Sequence, residues 1–460
     1  MLVLTALVYV LQNRSRSAAE RVIYTCTEDR RCMRMPGHGM RIGIIGSGYV
    51  GTVTGAGFAE LDNEVIFVDF DQERVSALNA AESSIFEPGL DELLAKNRER
   101  YHATTDYDEL MRTDLTFICV GTPSKEDGSI DLEYVRSAAE DIGKVIRQKA
   151  EFHLVVVKST VVPGTTEEVI RPILEEVSQK KPGEDFGVAM TPEFLREGNA
   201  VHDFFTPDRI VVGTEDERSR RLLETLYAPF SCPTLFTTIR TAEMIKYVSN
   251  AFLATKISFA NEIGNMCKRL GIDVYEVFAG VGLDSRINPA FFRAGIGFGG
   301  SCFPKDVRAL LAKAKELGEA PRILNSVLQV NEDQPLKLIE LLKRHIPRLH
   351  GKRIGILGLA FKPDTDDIRE SRAVPLIERL REEGAQVVAY DPQAMAAFKM
   401  VFPQIAYAAS PEDVLTNTDA VLIVTEWHEF EALNYRDVIV IDGRRVLKAK
   451  EAAIYEGVCW

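Results

Sequence analysis

The chain has 460 residues, of which 46% are hydrophobic and 27% charged, with a formal net charge of −13. That length implies two or three domains, and the acidic balance argues against nucleic acid or an anionic membrane as a bulk partner while allowing a local basic pocket. Seven cysteines, odd in number and scattered, make neither a disulfide framework nor a metal-ligand spacing, so a reducing, cytoplasmic setting without a metal is expected.

Residues 1–39 differ in character from the remainder of the chain. Met1 to Leu11 is apolar but too short to span a bilayer, and no basic region precedes it as in a signal peptide. Arg14 to Met35 is polar and Arg-rich, and the first strand pattern begins at Met40. Translation is expected to start at Met40, which makes 1–39 a mis-assigned or disordered leader.

Met40 to Ile45 reads as a buried strand that runs into Gly46-Ser-Gly48-Tyr-Val50-Gly51 and a small-residue helix to Leu61. Val65 to Asp69 is a second strand, ending in an acid. G-x-G-x-x-G alone is a weak signal. Between a strand and a helix, with an acid about 20 residues on, it is what a dinucleotide site needs. The glycines admit a pyrophosphate, and the helix N-terminus stabilises its charge. Asp69 would accept from a ribose 2′-hydroxyl and repel a 2′-phosphate, which selects NAD over NADP. Arg74 is either a solvated helix charge or a cation that reaches the adenosine or its phosphates.

Leu115–Val120, Leu154–Val157 and Phe186–Met190 continue the alternation as apolar strands. Such runs separated by helices indicate a parallel sheet covered on both faces, whose ligands bind beyond the carboxyl ends of the strands. Thr122, Thr160, Glu193 and Glu197 follow those ends. Each alone is more often a cap or turn residue, but together they line one crevice.

The pattern then changes to a long helix, Thr241 to Leu270, read as a spine or an interface. Lys246 and Asn250 share one face of it. Asp284-Ser-Arg286 and Phe291-Phe292-Arg293-Ala294-Gly295 lead into Gly297-Phe298-Gly299-Gly-Ser-Cys302-Phe-Pro-Lys305-Asp306. Arginines and aromatics there could hold phosphates and a base; the phenylalanines could equally be core. Proline suits the first helical position, so a helix is expected over Val307–Leu317 with Cys302 at its positive end beside Lys305. That setting favours a thiolate. The alternative, a small buried hydrophobe, fits less well with the glycine approach and the Pro-Lys-Asp exit.

From Gly351 the strand and turn pattern restarts, with Val387–Asp391, Thr418–Thr425 and Val438–Asp442 echoing the first half. The full glycine fingerprint is missing, so no second NAD is expected. Lys362, Arg369 and Arg444 offer cations instead. The fold class is therefore α/β, with two doubly wound Rossmann-like domains joined by a long central helix and helical region. The divisions are 40–235 for the dinucleotide-binding domain, 236–335 for the central region with the Cys loop, and 336–460 for the second Rossmann-like domain.

From Met40 to about Ala452 these motifs, with Val120-Gly-Thr-Pro123, Lys158-Ser-Thr160, Pro192 to Gly198, Glu243 to Asn250 and Phe361 to Ser371, resemble the UDP-glucose-oxidising members of the UDP-glucose/GDP-mannose dehydrogenase family. The leader has no counterpart there. The resemblance implies a four-electron oxidation of the C6 alcohol of UDP-glucose by two NAD⁺, through a thiohemiacetal and a thioester on Cys302. It implies that Lys246 and Asn250 stabilise an oxyanion, and that Thr160, Glu193 and Asp306 hold water or relay protons, the first-step base staying open among them. By position, Gly46, Gly48, Val50, Gly51, Asp69, Arg74, Thr122, Thr160, Glu197, Lys305 and Arg369 become NAD contacts. Glu193, Phe194, Leu195, Arg196, Glu197, Lys246, Asn250, Phe291, Phe292, Arg293, Ala294, Gly295, Phe298, Gly299 and Lys362 become sugar-nucleotide contacts, with Arg444 on the uridine side. Arg286 is similar to a residue lent across a subunit interface, which implies a homodimer or a higher homo-oligomer. Rival readings are a GDP-mannose 6-dehydrogenase, a two-electron dehydrogenase in which Cys302 is incidental, and a non-catalytic NAD-binding regulator.

Overall fold

The first strand forms because Ile42, Ile44 and Ile45 alternate into two apolar layers that leave them essentially no exposure. The computed structural model to which it belongs describes residues 39–460, so the expected leader lies, apart from Gly39, outside the described residues. The chain gathers into two units. One holds the described residues up to Pro123 with Ile130–Lys246; the other holds Ser124–Ser129 with Tyr247–Trp460.

The first unit is built on eight strands: β1 (Arg41–Ile45), β2 (Glu64–Val68), β3 (Tyr101–Thr104), β4 (Leu115–Ile118), β5 (His153–Val157), β6 (Phe186–Met190), β7 (Ile210–Thr214) and β8 (Thr234–Thr237). Their order is β3-β2-β1-β4-β5-β6-β7-β8. The first six are parallel in the doubly wound order, and helix α1 (Tyr49–Glu60) starts directly after the turn that follows β1. The wholly parallel expectation needs one correction, since β7 runs antiparallel to β6. That edge follows a short helix, α2 (Ala200–Phe205), too small to carry a crossover.

At the opposite end of this sheet, buried Lys149 donates to the carbonyl of Leu110 at 3.0 Å, to that of Thr113, and to His153 Nδ1 at 2.9 Å. An ammonium only donates, so Nδ1 carries the lone pair and Nε2–H faces Thr116 Oγ1 at 2.9 Å. This pin ties β4, β5 and the helix before β5 together.

Helix α3 (Ile239–Leu270) is 32 residues long, begins two residues before the expected start, and runs from the first unit into the second. The second unit continues with α4 (Phe303–Glu316), α5 (Arg322–Asp333) and six strands: β9 (Arg353–Leu357), β10 (Gln386–Tyr390), β11 (Ala406–Tyr407), β12 (Ala420–Ile423), β13 (Ile439–Asp442) and β14 (Ile454–Gly457). All are parallel, in the order β11-β10-β9-β12-β13-β14. Helix α4 starts four residues before the expected Val307, which places Pro304 second in the helix rather than first. Among the described residues no helix is long and apolar enough to cross a membrane, and no group of His, Cys, Asp or Glu could hold a metal ion.

Candidate active site

In the first unit the turn after β1 leaves the sheet through Gly46, at φ +88°. A Cβ on Gly51 would stand 1.8 Å from the Gly46 carbonyl oxygen, so only glycine lets the first turn of α1 seat there. A Cβ on Gly48 would meet nothing within 4 Å, so the backbone at the N-cap of α1 is open to a ligand. Val50 stands half-buried in that first turn. Asp69, just past β2, is buried and accepts from Ser47 N at 2.6 Å, Ser47 Oγ at 2.7 Å and Asp71 N at 3.0 Å. Arg74 Nη1 stands 3.8 Å from Asp69. An open helix N-terminus beside an acid with acceptor capacity to spare fits the pyrophosphate and ribose of a dinucleotide.

Thr122 and Thr160, past the ends of β4 and β5, meet through a bond from Thr122 Oγ1 to the Thr160 carbonyl at 3.0 Å. Past β6, Glu193 and Lys246 form a buried ion pair at 2.6 Å, and Glu193 Oε2 also accepts from Leu195 N at 2.6 Å. Breaking such a pair leaves a buried charge uncompensated, at a cost of about 3–5 kcal/mol. Phe194 lies under both cations, with Arg209 at 4.0 Å and Lys246 at 5.5 Å from its ring centre. Arg196 forks onto Asp203 and points to solvent, while Glu197 is half-buried.

In the second unit Cys302 is the N-cap of α4 and is exposed, whereas Cys119, Cys267 and Cys459 are buried. Ser301 Oγ lies 3.6 Å from its sulfur. Asp306, buried in the first turn of α4, accepts from Asn250 Nδ2 at 2.6 Å and Lys305 Nζ at 2.7 Å. Asn250 is one helical turn beyond Lys246 on α3.

The loop before Cys302 is gripped at its backbone. Tyr275 donates to the Ala294 carbonyl at 2.7 Å, Gly295 N donates to Asn261 at 2.7 Å, and Gln334 donates to the Gly295 carbonyl at 2.8 Å. Asn331 pairs with Phe298 like a neighbouring strand, accepting from its N at 2.7 Å and donating to its carbonyl at 3.0 Å. Arg444 reaches the Gly297 carbonyl at 3.3 Å. A Cβ on Gly299 would meet the Glu370 carbonyl at 2.3 Å, so that glycine serves the loop's own packing.

Phe298 is core, and Phe292 stacks on Phe278 at 4.5 Å. Phe291 adopts φ +69°. Arg293 and Arg286 are exposed, beside Glu426 and Asp284 respectively, and Arg369 forks onto Asp367. Lys362 stands over the Phe361 ring. Asn261, Gln334, Asn331 and, in the first unit, Glu87 do not stand out in the sequence. Each acts on backbone far away in the chain and leaves no periodic mark.

The parallel sheet with its glycine turn, open helix N-terminus and strand-end acid defines the first unit as the cofactor domain of a nucleotide-dependent dehydrogenase. The chain belongs to the UDP-glucose/GDP-mannose dehydrogenase family: the family's NAD binding domain matches residues 40–231, its central domain 240–333 and its UDP binding domain 355–449. The chain is 50% identical over 430 residues to the UDP-glucose 6-dehydrogenase AglM of Haloferax volcanii, spanning 91% of this chain and 100% of that protein. It is 40% identical over 442 residues to the GDP-mannose 6-dehydrogenase of Pseudomonas putida, spanning 92% and 100%. A solved UDP-glucose dehydrogenase from Pyrobaculum islandicum superposes with a TM-score of 0.90 at 46% identity, covering 93% of this chain and 99% of that one.

Proposed function

We propose that this protein oxidises the C6 alcohol of UDP-glucose to the carboxylate, with two NAD⁺ reduced per sugar. The observation that carries the reading is the exposed N-cap cysteine, Cys302, one turn ahead of an Asp306 that is bonded to Asn250 and Lys305. NAD⁺, when bound, supplies the hydride acceptor for both oxidations, and the cradle of Gly46, Gly48, Gly51 and Asp69 would hold it. Lys246 and Asn250 present donors from successive turns of α3 to the oxygen on C6 as it gains charge. The Glu193–Lys246 pair keeps that ammonium aimed. Once C6 is an aldehyde, the Cys302 sulfur bonds to it and the oxygen takes a proton, which keeps the half-oxidised sugar from leaving. Oxidation of that adduct gives a thioester. Water, oriented by Thr160, Glu193 or Asp306, adds to the acyl carbon, and the carbon–sulfur bond breaks to release the acid and regenerate Cys302.

The 50% identity to AglM, against 40% to the GDP-mannose 6-dehydrogenase, supports uridine over guanosine. The odd number and scattered spacing of the seven cysteines support a reducing, cytoplasmic setting. The homodimer reading is supported by α3, which exposes Met244, Val248, Phe252, Phe259, Met266 and Leu270 on one face over ~39 Å. A stripe of that length matches a second copy of itself about a two-fold axis.

The test is NADH yield. Wild type should give two NADH per UDP-glucose and little with GDP-mannose. Cys302→Ser should lower acid formation by about 10³-fold or more while an aldehyde-level product is trapped or leaks. One NADH per sugar in wild type, or full acid formation by the variant, would overturn the mechanism.

A further inference from the structure

Gly198, at φ +76°, closes the loop that carries Glu193 to Glu197. Its N–H is shared between two oxygens, Glu87 Oε2 at 2.7 Å and Tyr49 Oη at 2.9 Å. The other oxygen of Glu87 accepts from Ala200 N at 2.7 Å. One carboxylate thus caps α2, whose own N-cap, Asn199, makes no side-chain cap bond. Tyr49 donates its hydroxyl to Glu87 and closes the triangle. Glu87 is buried, and burial together with Glu87 raises the Tyr49 pKa, so the phenol keeps its proton and remains a donor.

Tyr49 is also the first residue of α1, inside the glycine fingerprint. Its backbone belongs to the turn that would cradle a pyrophosphate, and its side chain ends on the loop that carries Glu193. No other residue of the fingerprint has an interaction of this reach among the described bonds: Ser47 turns back to Asp69, and Thr52 to the Ser47 carbonyl.

We propose that Tyr49 and Glu87 are positioning residues that latch the cofactor turn to the Glu193–Glu197 loop, so that dinucleotide and sugar nucleotide bind cooperatively. This rests on the reading that the loop holds the sugar nucleotide. A pyrophosphate that orders the first turn of α1 also fixes the Tyr49 ring, and with it the orientation of Glu87 and of Gly198 N–H. The second ligand then meets a loop already ordered and bears less of the entropy cost. Linkage makes the effect reciprocal, so each ligand tightens the other by the same factor, here about fivefold.

The experiment is calorimetric titration of UDP-glucose into the full-length protein with and without saturating NADH, which permits no turnover. Wild type should show the roughly fivefold tightening. Tyr49→Phe, which keeps the ring and removes the hydroxyl, should bind NADH within about twofold of wild type yet bring the coupling factor close to one. Glu87→Gln should fall between them, since its amide still accepts one of the N–H groups. A merely structural role for these residues would lower the melting temperature and leave the coupling factor alone. A wild-type factor of one, or a Tyr49→Phe variant that retains the full factor, overturns the latch. If UDP-glucose fails to bind wild type with or without NADH, the substrate reading falls, and the latch with it.

Discussion

Both parallel sheets run 3-2-1-4-5-6 through their first six strands, and in both an acid follows the second strand, yet the two acids are used differently. Asp391, past β10, is saturated by its own chain. Leu359 N, Ala360 N and Trp427 Nε1 donate to one oxygen, and Gln393 N and Ala394 N to the other. Asp69 takes only Ser47 and the Asp71 amide. The turns differ in the same sense. Helix α1 begins at Tyr49, straight after its glycines, whereas the next helix after β9 begins only at Ala373. Strand order alone therefore does not make a dinucleotide site. What makes it is a helix N-terminus delivered at the turn and an acid left with spare acceptors.

The sharpest way to break this contrast is to remove both acids in turn. Asp391→Ala strands five donors, four of them buried, and should destabilise the second sheet by about 3 kcal/mol or more, read as a lower unfolding midpoint, while NAD affinity holds. If NAD affinity falls in step, the second acid is doing cofactor work and the contrast is wrong. Asp69→Asn should act in mirror image. Stability changes little, NAD weakens about tenfold, worth about 1.4 kcal/mol, and discrimination against NADP narrows. Unchanged discrimination would refute the ribose assignment.

The smallest effect separates the sheets by pH. Burial and the neighbouring Lys149 hold His153 down to about 3, so the stability it contributes is present above pH 6.5 and drains away as pH falls toward 3. Burial pushes Asp442 up to about 6 against four hydrogen bonds that favour its anion, so its contribution is full below pH 3.8 and is lost as pH rises through 6. Acidification from pH 7 to 4.5 should weaken the first unit more than the second. Trp427 and Trp460 both lie in the second unit, so their fluorescence should show a smaller fall in urea midpoint than circular dichroism, which averages both. Coincident shifts would sink this.

Much of the fold and the site is legible in the residues. The strand-turn-helix from Met40, the acid at Asp69, the restart at Gly351 and the cysteine at a helix start all rest on local patterns, and local patterns survive in a single sequence. The helix at Cys302 begins earlier than expected because Phe303 to Asp306 reads as turn chemistry, although Pro304 is tolerated anywhere in a first turn, where no N–H is needed. Strands β3, β8, β11 and β14 lack the continuous apolar run that marks a buried strand, since polar residues or half-exposed positions interrupt them. Glu87 and Asn331 are invisible for another reason. Their partners lie 111 and 33 residues away in the chain, and a single acid in a Phe-Glu-Pro-Gly turn carries no mark of that distance.

Lys246 and Asn250 sit on one unbroken helix, and that fact sets a rule for divergence in this chain. Their offset is dictated by pitch, ~6 Å of rise and about 40° of net rotation, and no loop can adjust it. A single inserted or deleted residue between them would swing one amine or amide by about 100° and point it elsewhere. Substitution can tune this stretch, but indels should be lethal to turnover there, even at positions whose side chains face water.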